Sequence, residues 1–216
     1  KTQQKLSSSS KANNYVGCIA AAITRELAGN QQGQWEVNVF ENDSPNAFAL
    51  PGKKIGVNTG MLTIANNQDQ LAAVMGHEVG HVLARHSAER MSLDSATKTG
   101  TQLLQVMSGE QTAAKQQVFG LLGLGTQYGL KLPFSRKHES EADIIGVELM
   151  AKAGFDPRAS VQLWQNMDKA SKGAPPEFMS THPSNNTRIN QLNGHMNKAM
   201  ILYKKAQAKG KNPQCG

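Results

Sequence analysis

His77-Glu78-Val79-Gly80-His81 is the stretch that decides how the rest of the chain is read. It lies inside an apolar pattern, Leu71, Met75, Val79 and Val82, that repeats as one face of a helix. Asn66 or Asn67 can cap that helix, with Asp69 in its first turn. Histidines four residues apart stand one above the other, so both imidazoles can reach one Zn²⁺ at ~2.0–2.1 Å. Glu78 is rotated from His77 by about 100°. It can therefore approach a water beside the metal without taking a coordination position, as a general base must. Gly76 and Gly80 each cost about 1 kcal/mol relative to alanine, which is tolerable where a second backbone passes close to that face.

A catalytic zinc needs a third protein ligand and one open position. In the metzincin pattern the next glycine and histidine would fall at Ala84 and Ser87, which excludes that class. On a continuing helix His86 points away from His77 and His81 and is expected to be a non-ligand. A carboxylate is then the natural third ligand, and His138-Glu139-Ser140-Glu141-Ala142-Asp143, early in another helix, is its best source. Glu139 and Asp143 share a face, so one can bind metal while the other accepts the outer N–H of a ligand histidine. Spacing alone leaves Glu139 and Glu141 in competition.

Outward from these motifs the chain reads as one domain, 15–208, between loose tails at 1–14 and 209–216. A helix is expected from Tyr15 to Leu27, a strand from Trp35 to Phe40, and a hairpin of Ala47–Leu50 and Ile55–Val57 joined by Pro51-Gly52. The pattern is helical afterwards: Ser92–Met107, Ser135–Lys152 ending at Gly154, Pro157–Lys172, and a basic helix from Pro183 to Ala208. Ser108–Leu132 reads as a packed helix, or as a lid or membrane-touching loop, and Pro175-Pro176 as a loop. The net charge of +7 is concentrated toward the two ends, as in solvated tails, so no nucleic-acid partner is expected. Cys18 and Cys215, the two cysteines, are either a terminal staple or unrelated thiols. No run approaches the ~20 apolar residues of a membrane span.

Taken together, these stretches resemble the gluzincin family that holds the CAAX prenyl proteases, HtpX and the periplasmic proteases BepA and LoiP. Asn46-Ala47-Phe48-Ala49-Leu50-Pro51-Gly52 followed by Ile55-Gly56-Val57-Asn58-Thr59-Gly60 is similar to the family's edge-strand hairpin. His77 to His81 is similar to its zinc motif, Ser135 to Asp143 to its third-ligand helix, and Thr181-His182-Pro183 with Arg188 to its C-terminal motif. The resemblance implies a predominantly helical α+β domain of the zincin type, with a small edge sheet over the active-site helix. It implies one zinc held by His77, His81 and Glu139, with Asp143 behind them. It places Asn46, Ala47, Phe48 and Ala49 along the substrate, and His182 and Arg188 across from the metal. There the histidine either steadies the oxyanion or occupies the open metal position at rest.

The expected activity is therefore zinc-dependent endopeptidase cleavage of unfolded or misassembled polypeptides, with Glu78 as base and His182 or Arg188 at the oxyanion. The lack of a membrane helix favours the family's envelope branch. That implies quality control in a bacterial periplasm, with a lipid-anchored precursor and peripheral contact with a membrane. The alternative is a zinc-containing, chaperone-like binding module with weak proteolysis.

Overall fold

The computed structural model describes residues 4–90, 92, 134–170, 177–183 and 186–216. In chain order the elements are α1 (Ser10–Thr24), β1 (Glu36–Phe40), β2 (Ala47–Leu50), β3 (Lys54–Asn58), α2 (Met61–Ile64) and α3 (Gln68–Leu83). There follow α4 (Arg136–Ala153), α5 (Ala159–Ala170), α6 (Glu177–Thr181) and α7 (Asn186–Ala208). The expected segments from Met107 back to residue 93 and on to Leu132, and the loop at Pro175-Pro176, lie outside the described residues. Mostly helical, with one small sheet, the domain matches the fold class expected from sequence.

Helix α3 is the centre of the molecule. The Asn67 side chain caps it by accepting from the Gln70 N–H at 2.9 Å. Every residue from Gln70 to Val82 is buried, not one face alone, because α1, β2, α4 and α5 all pack on it. The closest neighbour is α4, capped by Ser135 and ended by Gly154 in a left-handed conformation, φ 96°. The two helices meet at small residues. A Cβ on Gly76 would lie 2.7 Å from the Gly146 carbonyl oxygen, and one on Gly80 2.8 Å from that of Ala142. The two motif glycines thus have the close backbone that their helical cost implies. This crossing brings the acidic turn of α4 over the histidines of α3.

The sheet has the order β1-β3-β2. β1 runs parallel to β3, and β2 returns antiparallel through the Pro51-Gly52 turn. β2 is an edge strand packed on α3. Its register pairs Asn46 with Asn58, whose N–H donates to the Asn46 carbonyl at 2.9 Å. By alternation Phe48 and Leu50 also bond inward, while the N–H and C=O of Ala47 and Ala49 point to the free edge.

The ends differ from the expected loose tails. Leu6 bridges to Phe40, and the Ser7 N–H donates to the Val39 carbonyl at 2.8 Å. α1 starts at Ser10, earlier than the apolar spacing suggests, because Ser9 caps it. Cys18 and Cys215 form a disulfide, and Lys211 pairs with Glu26 at 2.6 Å. Among the described residues no helix is long and apolar enough to cross a membrane.

Candidate metal centre

Four buried donors converge where α3, α4 and the segment after α6 meet: His77, His81, Glu139 and His182. His77 and His81 face each other through Nε2 at 3.0 Å. His182 Nδ1 lies 3.2 Å from His77 Nε2 and 3.1 Å from Glu139 Oε1. Glu139 joins them through both oxygens, Oε1 3.4 Å from His81 Nε2 and Oε2 3.5 Å from His77 Nε2. Tetrahedral zinc with bonds of ~2.0–2.1 Å holds its donors about 3.3 Å apart, and these separations fall around that value.

The electrostatics agree with a cation there. Burial opposes ionisation of Glu139, yet bonds from His182, His77 and His81 hold it well below the usual carboxylate range. Asp143 is likewise held low against burial by Arg188 and His77. Burial disfavours a charge on His77, but Asp143 and Glu139 outweigh it and raise its pKa to about 9. Burial and its neighbouring histidines push His81 down to about 2, against the pull of Glu139. The cluster thus attracts one positive charge into a site rich in imidazole lone pairs. One carboxylate oxygen, Glu78 Oε1, also lacks a hydrogen-bond donor there. Donor set, spacing and charge fit zinc, and one Zn²⁺ is the cofactor of this site.

Asp143 accepts from His77 at Nδ1, 2.9 Å, which leaves Nε2 for the metal side. Arg188 donates to both Asp143 oxygens at 2.7 Å, and its Nη1 lies 2.7 Å from Glu139 Oε2. The guanidinium is buried against these carboxylates. Glu78 sits beside the cluster, with Oε1 3.5 Å from His182 Nε2. Burial raises its pKa, opposed by His182, His77 and a hydrogen bond from the Ala49 backbone. The free edge of β2 therefore meets the α3 carboxylate directly.

Two placements depart from the sequence reading: Arg188, expected across from the metal and at the oxyanion, lies behind His77, bound to Asp143 and Glu139, and His86 is turned back. His86 was expected to point away, but α3 stops at Leu83 and Arg85 takes a left-handed conformation, φ 59°. That turn folds the His86 ring back to His81, Nδ1 to Nδ1, at 3.0 Å. Sequence reasoning also missed the aromatic wall. Phe178 stacks on His182 at 4.5 Å, and Phe134 packs on His81 at 4.1 Å. Trp164 lies under Arg188. The only sequence hint for Phe134 and Phe178 was adjacency to the Ser135 cap and to Thr181-His182-Pro183.

Residues 10–196 match Peptidase family M48. The chain is 40% identical over 190 residues to the mitochondrial metalloendopeptidase OMA1 of Schizosaccharomyces pombe, covering 87% of this chain and 54% of the relative. It is 37% identical to the OMA1 of Arabidopsis thaliana, over 88% of this chain and 37% of the relative. It is 33% identical to the beta-barrel assembly-enhancing protease of Escherichia coli K12, over 70% and 32%. The chain thus spans about half, or less, of the curated relatives it matches. The expected bacterial periplasm is corrected by these matches: the relatives at 40% and 37% identity are mitochondrial, and the bacterial one matches at lower identity. By its matched length, and with a zinc-shaped donor set at the expected motifs, the chain belongs to Peptidase family M48.

Proposed function

We propose that the chain is the proteolytic unit of a zinc metalloendopeptidase that cuts extended, unfolded or misassembled polypeptides in protein quality control. The observation that supports this most is the position of Glu78, between the four-donor cluster and the Ala49 amide of the edge strand. When bound by His77, His81 and Glu139, zinc supplies Lewis-acid polarisation of the scissile carbonyl and of a water. Glu78 accepts the proton of the attacking water and passes it to the leaving amine. Its burial favours the protonated form and so suits the second transfer. Ala47 offers its outward N–H and C=O groups, and Ala49 its C=O, to an extended chain as an added strand, while Asn46 and Phe48 bond inward and hold the register. Asp143 and Arg188 hold His77 and Glu139 in place.

His182 is the gate in this reading. Its Nδ1, 3.2 Å from His77 Nε2 and 3.1 Å from Glu139 Oε1, would at rest take the position needed by water. The same contact favours the second reading, a zinc-containing binding module with weak proteolysis.

The test is Glu78→Gln, followed by metal analysis and casein digestion. The expected variant keeps about one zinc per chain and yields no peptides. Cleavage equal to the parent's would sink the mechanism. A parent that binds zinc and unfolded clients but releases no products would favour the second reading.

A further inference from the structure

His86 is buried, at 1% exposure, just past the end of α3. Its Nδ1 lies 3.0 Å from His81 Nδ1, and its Nε2 3.4 Å from Glu141 Oε2. His81 directs its other nitrogen, Nε2, into the four-donor cluster. A neutral imidazole carries one proton. If His81 Nε2 is given to a metal, its proton is on Nδ1 and points at His86 Nδ1. That atom must then be bare, as an acceptor. The proton of His86 is left on Nε2, where it faces the Glu141 carboxylate. Each link has a single polarity, and the chain ends on a half-exposed carboxylate that tolerates charge.

We propose that His86 is the positioning residue of His81: it accepts the Nδ1–H, fixes tautomer and ring plane for zinc, and is itself set by Glu141. This rests on zinc occupying the cluster, as in the proposed function. It is the counterpart of Asp143 on His77, with one chemical difference. Asp143 brings a charge that Arg188 neutralises, whereas a histidine acceptor adds no further charge to a site already holding Glu78, Glu139 and Asp143. The left-handed Arg85 builds this contact, because a continuing helix would carry residue 86 to another face. The ring of His138, stacked on His86 at 4.3 Å, holds the acceptor in its plane. Glu141, which competes with Glu139 by spacing alone, has a different task in this scheme.

Two measurements test this. In the zinc-loaded parent, nitrogen-15 NMR of labelled histidines should show His86 protonated at Nε2 and bare at Nδ1. The opposite tautomer overturns the proposal. Zinc affinity, measured by competition with a chelator, should fall about 10–100-fold in His86→Phe. It should stay within about 3-fold of the parent in His86→Asn, which keeps an acceptor near Nδ1. Parental affinity in a folded His86→Phe overturns the proposal. If His86→Phe does not fold, the tautomer in the parent decides alone. A parent that binds no zinc would sink the metallopeptidase reading itself, an outcome distinct from an insensitive His86.

Discussion

Arg188 lies over Trp164, with its guanidinium carbon 3.8 Å from the ring centroid, and from that platform it donates to both oxygens of Asp143. The cation belongs to α7, the ring to α5 and the carboxylate to α4. Three helices are thus joined by one buried charge, directly behind His77 of the four-donor cluster.

Arg188→Met keeps an apolar stem on Trp164 but strands Asp143 and Glu139. Breaking a buried pair this way costs about 3–5 kcal/mol, and that is the loss expected in urea unfolding. A loss below about 1 kcal/mol, as for an exposed pair, would mean the carboxylates find other partners.

His182→Ala should retain three protein donors and about one zinc per chain while opening the fourth corner. Casein cleavage is expected to be faster than in the parent. Slower cleavage with zinc intact would instead assign His182 to the oxyanion.

Gly146→Ala separates helix propensity from packing. On propensity alone the change stabilises by about 1 kcal/mol. In the structure its Cβ would lie 2.6 Å from the His77 nitrogen and 2.8 Å from the Gly76 carbonyl carbon, both backbone atoms. The helices must part, so a net loss of about 1–3 kcal/mol is expected, together with weaker zinc retention in dialysis. A higher melting temperature in the variant would show that the crossing is looser than described.

The disulfide spans 197 residues of sequence. Loop-closure entropy puts its contribution at about 5 kcal/mol as an upper figure. Cys18→Ser with Cys215→Ser should lower the urea midpoint, and reduced parent should match the variant. Equal midpoints would show that Lys211–Glu26 and the Gln68 contacts to Pro213 and Cys215 hold the end without it.

Much of this site was legible because it is local. The helical period around His77 and His81, the Asn67 and Ser135 caps, and Gly154 as a stop are short-range signals, and α3 and α4 follow them. The hairpin of Ala47–Leu50 was equally clear from Pro51-Gly52. What was hidden depends on one backbone angle or on long-range contact. Arg85 gives no sequence sign of a positive φ, so His86 looked misdirected. Glu139 and Glu141 are both acids in one turn, and only the crossing at Gly80 and Ala142 tells them apart in space. The parallel β1–β3 pairing and the short α6 carry no signal beyond their neighbours. Trp164, Phe134 and Phe178 read as ordinary core residues, and in composition they are.

The glycine crossing of α3 and α4 also bears on how metal and fold depend on each other. Backbone stops backbone there, at a hard-sphere limit, so the separation of the two histidines from the α4 carboxylate is inherited from packing. The ordering entropy of the ligands is met when the protein folds, before any ion arrives. Zinc then enters a rigid receptor, unlike the metal of a small finger, which has to organise its own ligands. In such a site zinc loading is expected to follow folding rather than to drive it.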